Sequence, residues 1–87
     1  MMWQYRFTEI AFKQIKKLPI LESQRIITKL DFFCKQENPL KLADYLTDFR
    51  LGSYRFRIGD YRVIFDVKDE YIVVLAVGHR RDIYRKN

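Results

Sequence analysis

The feature that most limits what this chain can become is a change of hydrophobic period at Ser53. From there Tyr54, Phe56 and Ile58 point one way and Arg55 and Arg57 the other, the alternation of a half-buried strand. Gly59-Asp60 then interrupts the run. Gly accepts the positive φ needed at the first central position of a type II′ hairpin turn, so a second strand is expected over 61–67. A two-residue loop sets the register: Arg57 faces Arg62, Arg55 faces Ile64 and Ser53 faces Asp66. Three arginines therefore share one face of one hairpin. Like charges directly opposite cost a sheet a few tenths of a kcal/mol up to about 1 kcal/mol, and the hairpin places only Asp66 on that face to offset them. Folding does not require this arrangement, whereas a bound polyanion would, because a guanidinium fork matches phosphate oxygens. The competing reading is a solvated sheet face whose arginines stack on each other or reach Asp44 and Asp48 in the preceding connector.

The remaining chain supplies what such a hairpin packs against. Trp3, Tyr5 and Phe7 alternate with Gln4 and Arg6, which predicts a first strand. Thr8 is placed to cap a short amphipathic helix with Ala11, Phe12, Ile15 and Leu18 inward, Lys13, Lys16 and Lys17 outward, and Pro19 as its stop. A longer helix over 21–37 directs Ile26, Ile27, Leu30, Phe33 and Cys34 inward, and Asn38-Pro39 ends it. Residues 40–52 read as a partly helical connector. The segment 71–77 is apolar on both faces, as suits a central strand, and residues 78–85 then leave the sheet. The fold class is α+β: an N-terminal strand and helical hairpin packed on a small antiparallel sheet, in the order β-α-α-β-β-β with a short C-terminal segment. At 87 residues the chain is expected to form one domain over 1–87.

Composition removes several classes of function. With 48% apolar and 16% aromatic residues the chain can build a core, so disorder is not its main state. One cysteine and one histidine exclude an internal disulfide and a four-ligand protein zinc site. No P-loop, G-x-G-x-x-G or G-x-S-x-G motif is present. No cofactor or metal is implied. The longest apolar run is far short of the roughly 20 residues that span a bilayer, and Arg6 and Glu9 break any leader-like stretch; a cytoplasmic protein without a membrane partner is expected. The net charge of +6 favours polyanions. Its chemistry changes along the chain: residues 1–44 carry six Lys and two Arg, residues 45–87 seven Arg and two Lys. The arginine-rich half is the expected working half.

If the strand after the hairpin follows a two-residue loop, parity carries Val77 and His79 onto the arginine face, with His79 and Arg80 entering beside Arg62. Histidine is the side chain that ordinarily exchanges protons near neutral pH, which makes His79 the expected proton shuttle. Its bland alternative is a surface or packing residue. Tyr84 could stack on a base or orient a hydroxyl, or it could simply anchor the C-terminal segment. An RNA-cleaving activity needs no other motif. The ribose 2′-OH can attack the adjacent phosphate, leaving the protein to position it, stabilise charge and move a proton.

Residues 54–65, the hydrophobic strand, and Gly78-His79-Arg80-Arg81-Asp82-Ile83-Tyr84-Arg85 together resemble the RelE/ParE toxin superfamily of type II toxin–antitoxin systems, and within it the RelE-like mRNA endonucleases. The resemblance spans nearly the whole chain. It implies a toxin that enters the ribosomal A site, cleaves mRNA by 2′-OH attack and so inhibits translation. Its partners would be the ribosome, mRNA and a cognate antitoxin, RelB-like or another short helical protein. The resemblance places the family's basic and aromatic site residues at Arg55, Arg57, Arg62, Arg80 and Tyr84. Together with His79, read from its own chemistry, the expected catalytic residues are Arg57, Arg62, His79, Arg80 and Tyr84, and phosphate contacts are expected from Arg55, Arg57, Arg62, Arg81 and Arg85. The best-studied members carry lysines where this chain has Arg55 and Arg57; because a guanidinium is a poor base, that departure moves the proton-transfer role toward His79. The alternative within the superfamily is a ParE-like inhibitor of DNA gyrase that binds without cutting RNA. A plain RNA-binding module and an inactive toxin remnant are the other readings.

Overall fold

The computed structural model describes residues 2–48 and 50–84. The alternating N-terminal segment forms β1 (Gln4–Phe7) and ends at Thr8, whose backbone is extended and whose hydroxyl accepts the Ala11 N–H at 3.2 Å. That bond satisfies one of the orphan donors of α1 (Glu9–Lys16). Ala11 and Ile15 are buried, but Phe12, expected on the inner stripe, is half exposed, with the Lys16 ammonium 4.9 Å from its ring centre. Pro19 both closes this arm and opens the next, since a residue without an N–H suits a helix start as well as a stop. The second helix, α2, therefore begins at once and runs Ile20–Cys34, three residues shorter at its end than expected. Ile26, Leu30 and Phe33 are its buried face.

The connector is only briefly helical. A 3-10 turn at Pro39–Leu42, with the Asn38 side chain accepting the Leu40 N–H, gives way to a two-residue strand, β2 (Asp44–Tyr45). The strands β3 (Tyr54–Ile58), β4 (Tyr61–Lys68) and β5 (Tyr71–His79) follow. Among the described residues they form a five-stranded sheet in the order β1-β5-β4-β3-β2. The α+β class stands, but the sheet is mixed and not purely antiparallel, because β1 lies parallel to β5. The apolar β5 needs neighbours on both edges, and β1 supplies the second.

Gly59 adopts φ 61° while Asp60 returns to negative φ, as the expected turn requires. The register of β3 and β4 follows: Arg55 opposite Ile64, Arg57 opposite Arg62. One face of the sheet carries the core. Phe33 of α2 stacks on Phe56 at 4.0 Å between ring centres, and Phe56 stacks on Phe65 at 4.5 Å. Val63, Ile72, Val74 and Val77 complete it.

The spacing of those last two residues exposes a break in the pleat. Ile72 and Val74 face the core, but so does Val77, three positions on, which strict alternation forbids. The ladder explains it: Phe65 pairs with Val74 and Ile64 with Ala76, leaving Leu75 as an extra residue. The bulge shifts everything after it by one position. Gly78, not Val77, faces Arg62, and His79 pairs with Tyr61. The expectation that Val77 and His79 share the arginine face is thereby corrected, since a one-residue slip moves each side chain to the opposite face.

Beyond Phe7, where β1 ends, α1 covers the open edge of β5. Thr8 donates its N–H to the Val74 carbonyl, and the Gln14 side chain accepts the Val77 N–H at 2.8 Å. No helix among the described residues is long and apolar enough to cross a membrane.

Candidate active site

The second face of the sheet is where the arginines lie. Its floor is set by Ile64, buried on this side beneath Gly52. A Cβ at Gly52 would stand 2.7 Å from Ile64 Cγ2, and the residue's φ of 147° favours glycine independently of that contact. On this floor Arg57 and Arg62 stand directly opposite each other.

An acid enters from the edge strand. β2 pairs with β3 so that Asp44 lies opposite Arg55, and alternation puts both on the arginine face. Asp44 Oδ2 accepts from Arg55 Nη2 at 2.9 Å and Nε at 3.2 Å, and lies 3.1 Å from Arg57 Nε. Arg55 and Asp44 are each about one-third exposed or less, whereas the Arg57 side chain is 63% exposed and presents the rest of its fork to solvent. Asp66, the acid expected to serve this face, instead accepts the Ser53 N–H at 2.7 Å and anchors the chain entering β3. Asp48 binds Arg50, its neighbour in the connector.

The C-terminal segment returns over the same face. Ile83 packs on Gly78, where an added Cβ would meet Ile83 Cδ1 at 3.1 Å, and Gly78 itself is paired with Arg62. This contact brings Tyr84 back to β3, where its hydroxyl accepts from Arg55 Nη1 at 2.7 Å. The Tyr84 hydrogen bond raises the Arg55 pKa above its ordinary value, with Asp44 adding to it and burial acting against it. Arg55 is a cation with no proton to exchange near neutrality.

The remaining candidates divide between this face and its margins. Arg62 Nη1 donates to the Gly59 and Tyr61 carbonyls at 2.9 and 3.0 Å, which folds its stem along the hairpin turn. Arg80 is tied to the same turn: its N–H donates to the Asp60 carbonyl at 2.7 Å and its Nε lies 3.3 Å from Asp60 Oδ1. Arg81 is exposed, and its N–H donates to His79 Nδ1 at 3.1 Å. In a neutral ring that bond leaves the proton on Nε2. The His79 ring meets Tyr61 edge-on at 5.5 Å and borders the groove lined by Gln14, Lys17 and Leu18. Arg85 lies outside the described residues. The structure thus gathers Arg55, Arg57, Arg62 and Tyr84 on one face, sets Arg80 at its end, and turns His79 away. No group of three or more His, Cys, Asp or Glu among the described residues could hold a metal ion.

The competing reading of the sequence, in which the arginines reach connector acids, is met by Asp44 for Arg55 and Arg57 and not by Asp48, which binds Arg50. The place of Asp44 within the site was not expected, because nothing in the connector announces a two-residue strand.

The chain can be placed among known proteins. The family described as ParE toxin of type II toxin-antitoxin system, parDE, matches residues 5–84. The chain belongs to the RelE/ParE toxin superfamily. The toxin is 33% identical to Toxin RelG of Mycobacterium tuberculosis over 90 residues, covering 99% of this chain and 100% of that protein. The crystal structure of the toxin-antitoxin complex RelBE2 from the same organism matches it with a TM-score of 0.79 at 25% identity, over 92% of this chain and 100% of the other. The RelB-RelE antitoxin-toxin complex from Methanococcus jannaschii matches with a TM-score of 0.64 at 26% identity, over 93% and 96%. The expected superfamily and fold class are both met, and the match covers the sheet and the segment that returns over it.

Proposed function

We propose that this toxin is a ribosome-dependent mRNA endonuclease acting in the cytoplasm, cutting by attack of a ribose 2′-OH on the adjacent phosphate and so inhibiting translation. The observation that carries this reading is the facing pair Arg57 and Arg62 with the Tyr84 hydroxyl drawn over the same face. Two guanidinium forks a strand apart suit a phosphate whose charge grows as the 2′-oxygen attacks, and the phenol can orient the nucleotide or meet the leaving oxygen. Arg80, at the end of the face, can leave its exposed pair with Asp60 at little cost, because exposed ion pairs are worth about 0–1 kcal/mol. Arg81, exposed in the C-terminal segment, adds a phosphate contact, and Arg85 follows it in the sequence outside the described residues. His79 serves this reading through the segment it caps and not at the phosphate.

The partner expected besides mRNA and the ribosome is a short helical antitoxin; the solved relatives are complexes of that kind. Ile10 on α1 and Ile20 and Leu21 on α2 are 67%, 68% and 74% exposed, apolar surface that a helix could cover. Primer extension on an mRNA translated with and without the toxin tests the main reading: new ends at codons in the A site are expected, and an unchanged ladder rejects it. The match to the ParE family favours one alternative, inhibition of DNA gyrase by binding. That reading predicts intact mRNA and a loss of gyrase supercoiling.

A further inference from the structure

Among the charged groups on the arginine face, Asp44 and Arg55 have no part yet in the proposed reaction. The Asp44 oxygen Oδ2 accepts two N–H groups from Arg55 and forms an ion pair with Arg57, whose Nε lies 3.1 Å away. Arg55 is consequently held from both ends: Nε and Nη2 by Asp44, and Nη1 by the Tyr84 hydroxyl. A guanidinium gripped this way is poorly free to follow a phosphate. It is well placed to transmit position, because its five donors lie in one rigid plane. The carboxylate on the edge strand thereby fixes the plane of Arg55, and Arg55 fixes where the Tyr84 oxygen sits. With a lone pair of that oxygen engaged by Arg55, the phenolic hydrogen points elsewhere, toward whatever occupies the face.

We infer that Asp44 is a positioning residue for RNA cleavage, holding Arg55 so that Arg55 presents the Tyr84 hydroxyl to the reacting phosphate. The inference rests on the endonuclease reading. It assigns Arg55 to the frame of the site and leaves Arg57 and Arg62 as the forks that meet phosphate. It also separates Asp44 from the simpler role of an internal phosphate mimic, which would occupy the arginines and only weaken substrate binding.

The test is single-turnover cleavage of ribosome-bound mRNA by the wild type, Asp44→Asn, Tyr84→Phe and the double variant. Asp44→Asn keeps the shape of the β2 residue while removing its charge. Each single change is expected to lower kcat by about tenfold to a hundredfold, the scale of a misplaced group, with KM unchanged or lower because Arg57 is released. The double variant is expected to match Tyr84→Phe, since both changes act through one hydroxyl. Arg55→Lys, which keeps the charge but not the planar bridge, should reproduce the loss. A second readout needs no RNA: in protein labelled with carbon-13 at tyrosine Cζ, the Tyr84 resonance should move in Asp44→Asn and in Arg55→Lys. Losses that multiply in the double variant overturn the inference, as does a rise in kcat/KM for Asp44→Asn or a Tyr84 resonance that stays in place. A wild type that cuts no mRNA overturns the endonuclease reading itself.

Discussion

At the scale of single residues, the consequences of the bulge at Leu75 can be measured directly. Arg62 keeps its place opposite Arg57, whereas His79 shares a face with Tyr61 and the core. Arg62→Ala is therefore expected to lower the cleavage rate by about 10²- to 10³-fold, the usual loss when one electrostatic donor is removed. His79→Ala should stay within a few-fold of the wild type in the same assay. A rate for His79→Ala as low as that for Arg62→Ala would return the histidine to the chemistry. Gly52 makes a second residue-scale case, because it combines a positive φ with a Cβ position 2.7 Å from Ile64 Cγ2. Gly52→Ala should cost at least about 1–3 kcal/mol in urea unfolding, the range for a residue forced into sparsely populated backbone. Neither residue's role was readable from its type alone. A histidine between Gly78 and two arginines looks like part of a basic site until the strand's register is known.

At the scale of elements, the tie between β1 and α2 shows how a local bond makes folding depend on pH. The Tyr5 hydroxyl donates to Asp31 Oδ1 at 3.1 Å, and burial followed by that hydrogen bond pushes its pKa up to about 12. The folded state thus favours the neutral phenol more than the unfolded chain does. Its contribution to stability is complete below the ordinary tyrosine value near 10 and is lost as pH rises from there through about 12. Between those values the wild type should lose stability more steeply than Tyr5→Phe, as followed by urea unfolding at successive pH values; parallel slopes would contradict the assignment. The helices and the β3–β4 hairpin were legible in advance because each carries a clear period and clear punctuation at Thr8, Pro19 and Gly59. β2 was not legible, since two residues are too few for alternation to register. The bulge was hidden for a different reason. β5 is apolar on both faces, so a change of phase within it leaves no mark in the pattern of side-chain types.

At the scale of the whole molecule, the charge of +6 resolves into two populations. Lysines of the first half lie mainly on the helices and their ends, whereas Arg55, Arg57 and Arg62 line the sheet face and Arg80 stands at its end. They are not equally available: Asp44 and Tyr84 occupy Arg55, while the Arg57 side chain is 63% exposed. For binding to a labelled single-stranded RNA, followed by anisotropy across a salt series, Arg57→Ala should flatten the plot of log affinity against log salt by about 0.7, the value for one phosphate no longer neutralised on a single strand. An unchanged slope would mean that Arg57 neutralises no phosphate. By itself the sequence determined the class of fold, the β3–β4 hairpin with Arg57 opposite Arg62, and the superfamily, because these depend on local periodicity, one glycine turn and the order of segments. Only the tertiary structure decided that β1 lies parallel to β5, that Asp44 joins the arginine face, that Tyr84 returns to Arg55, and that His79 turns away. Each of these depends on a pairing between segments distant in the chain, and in β5 on a single extra residue that reverses which side faces the site.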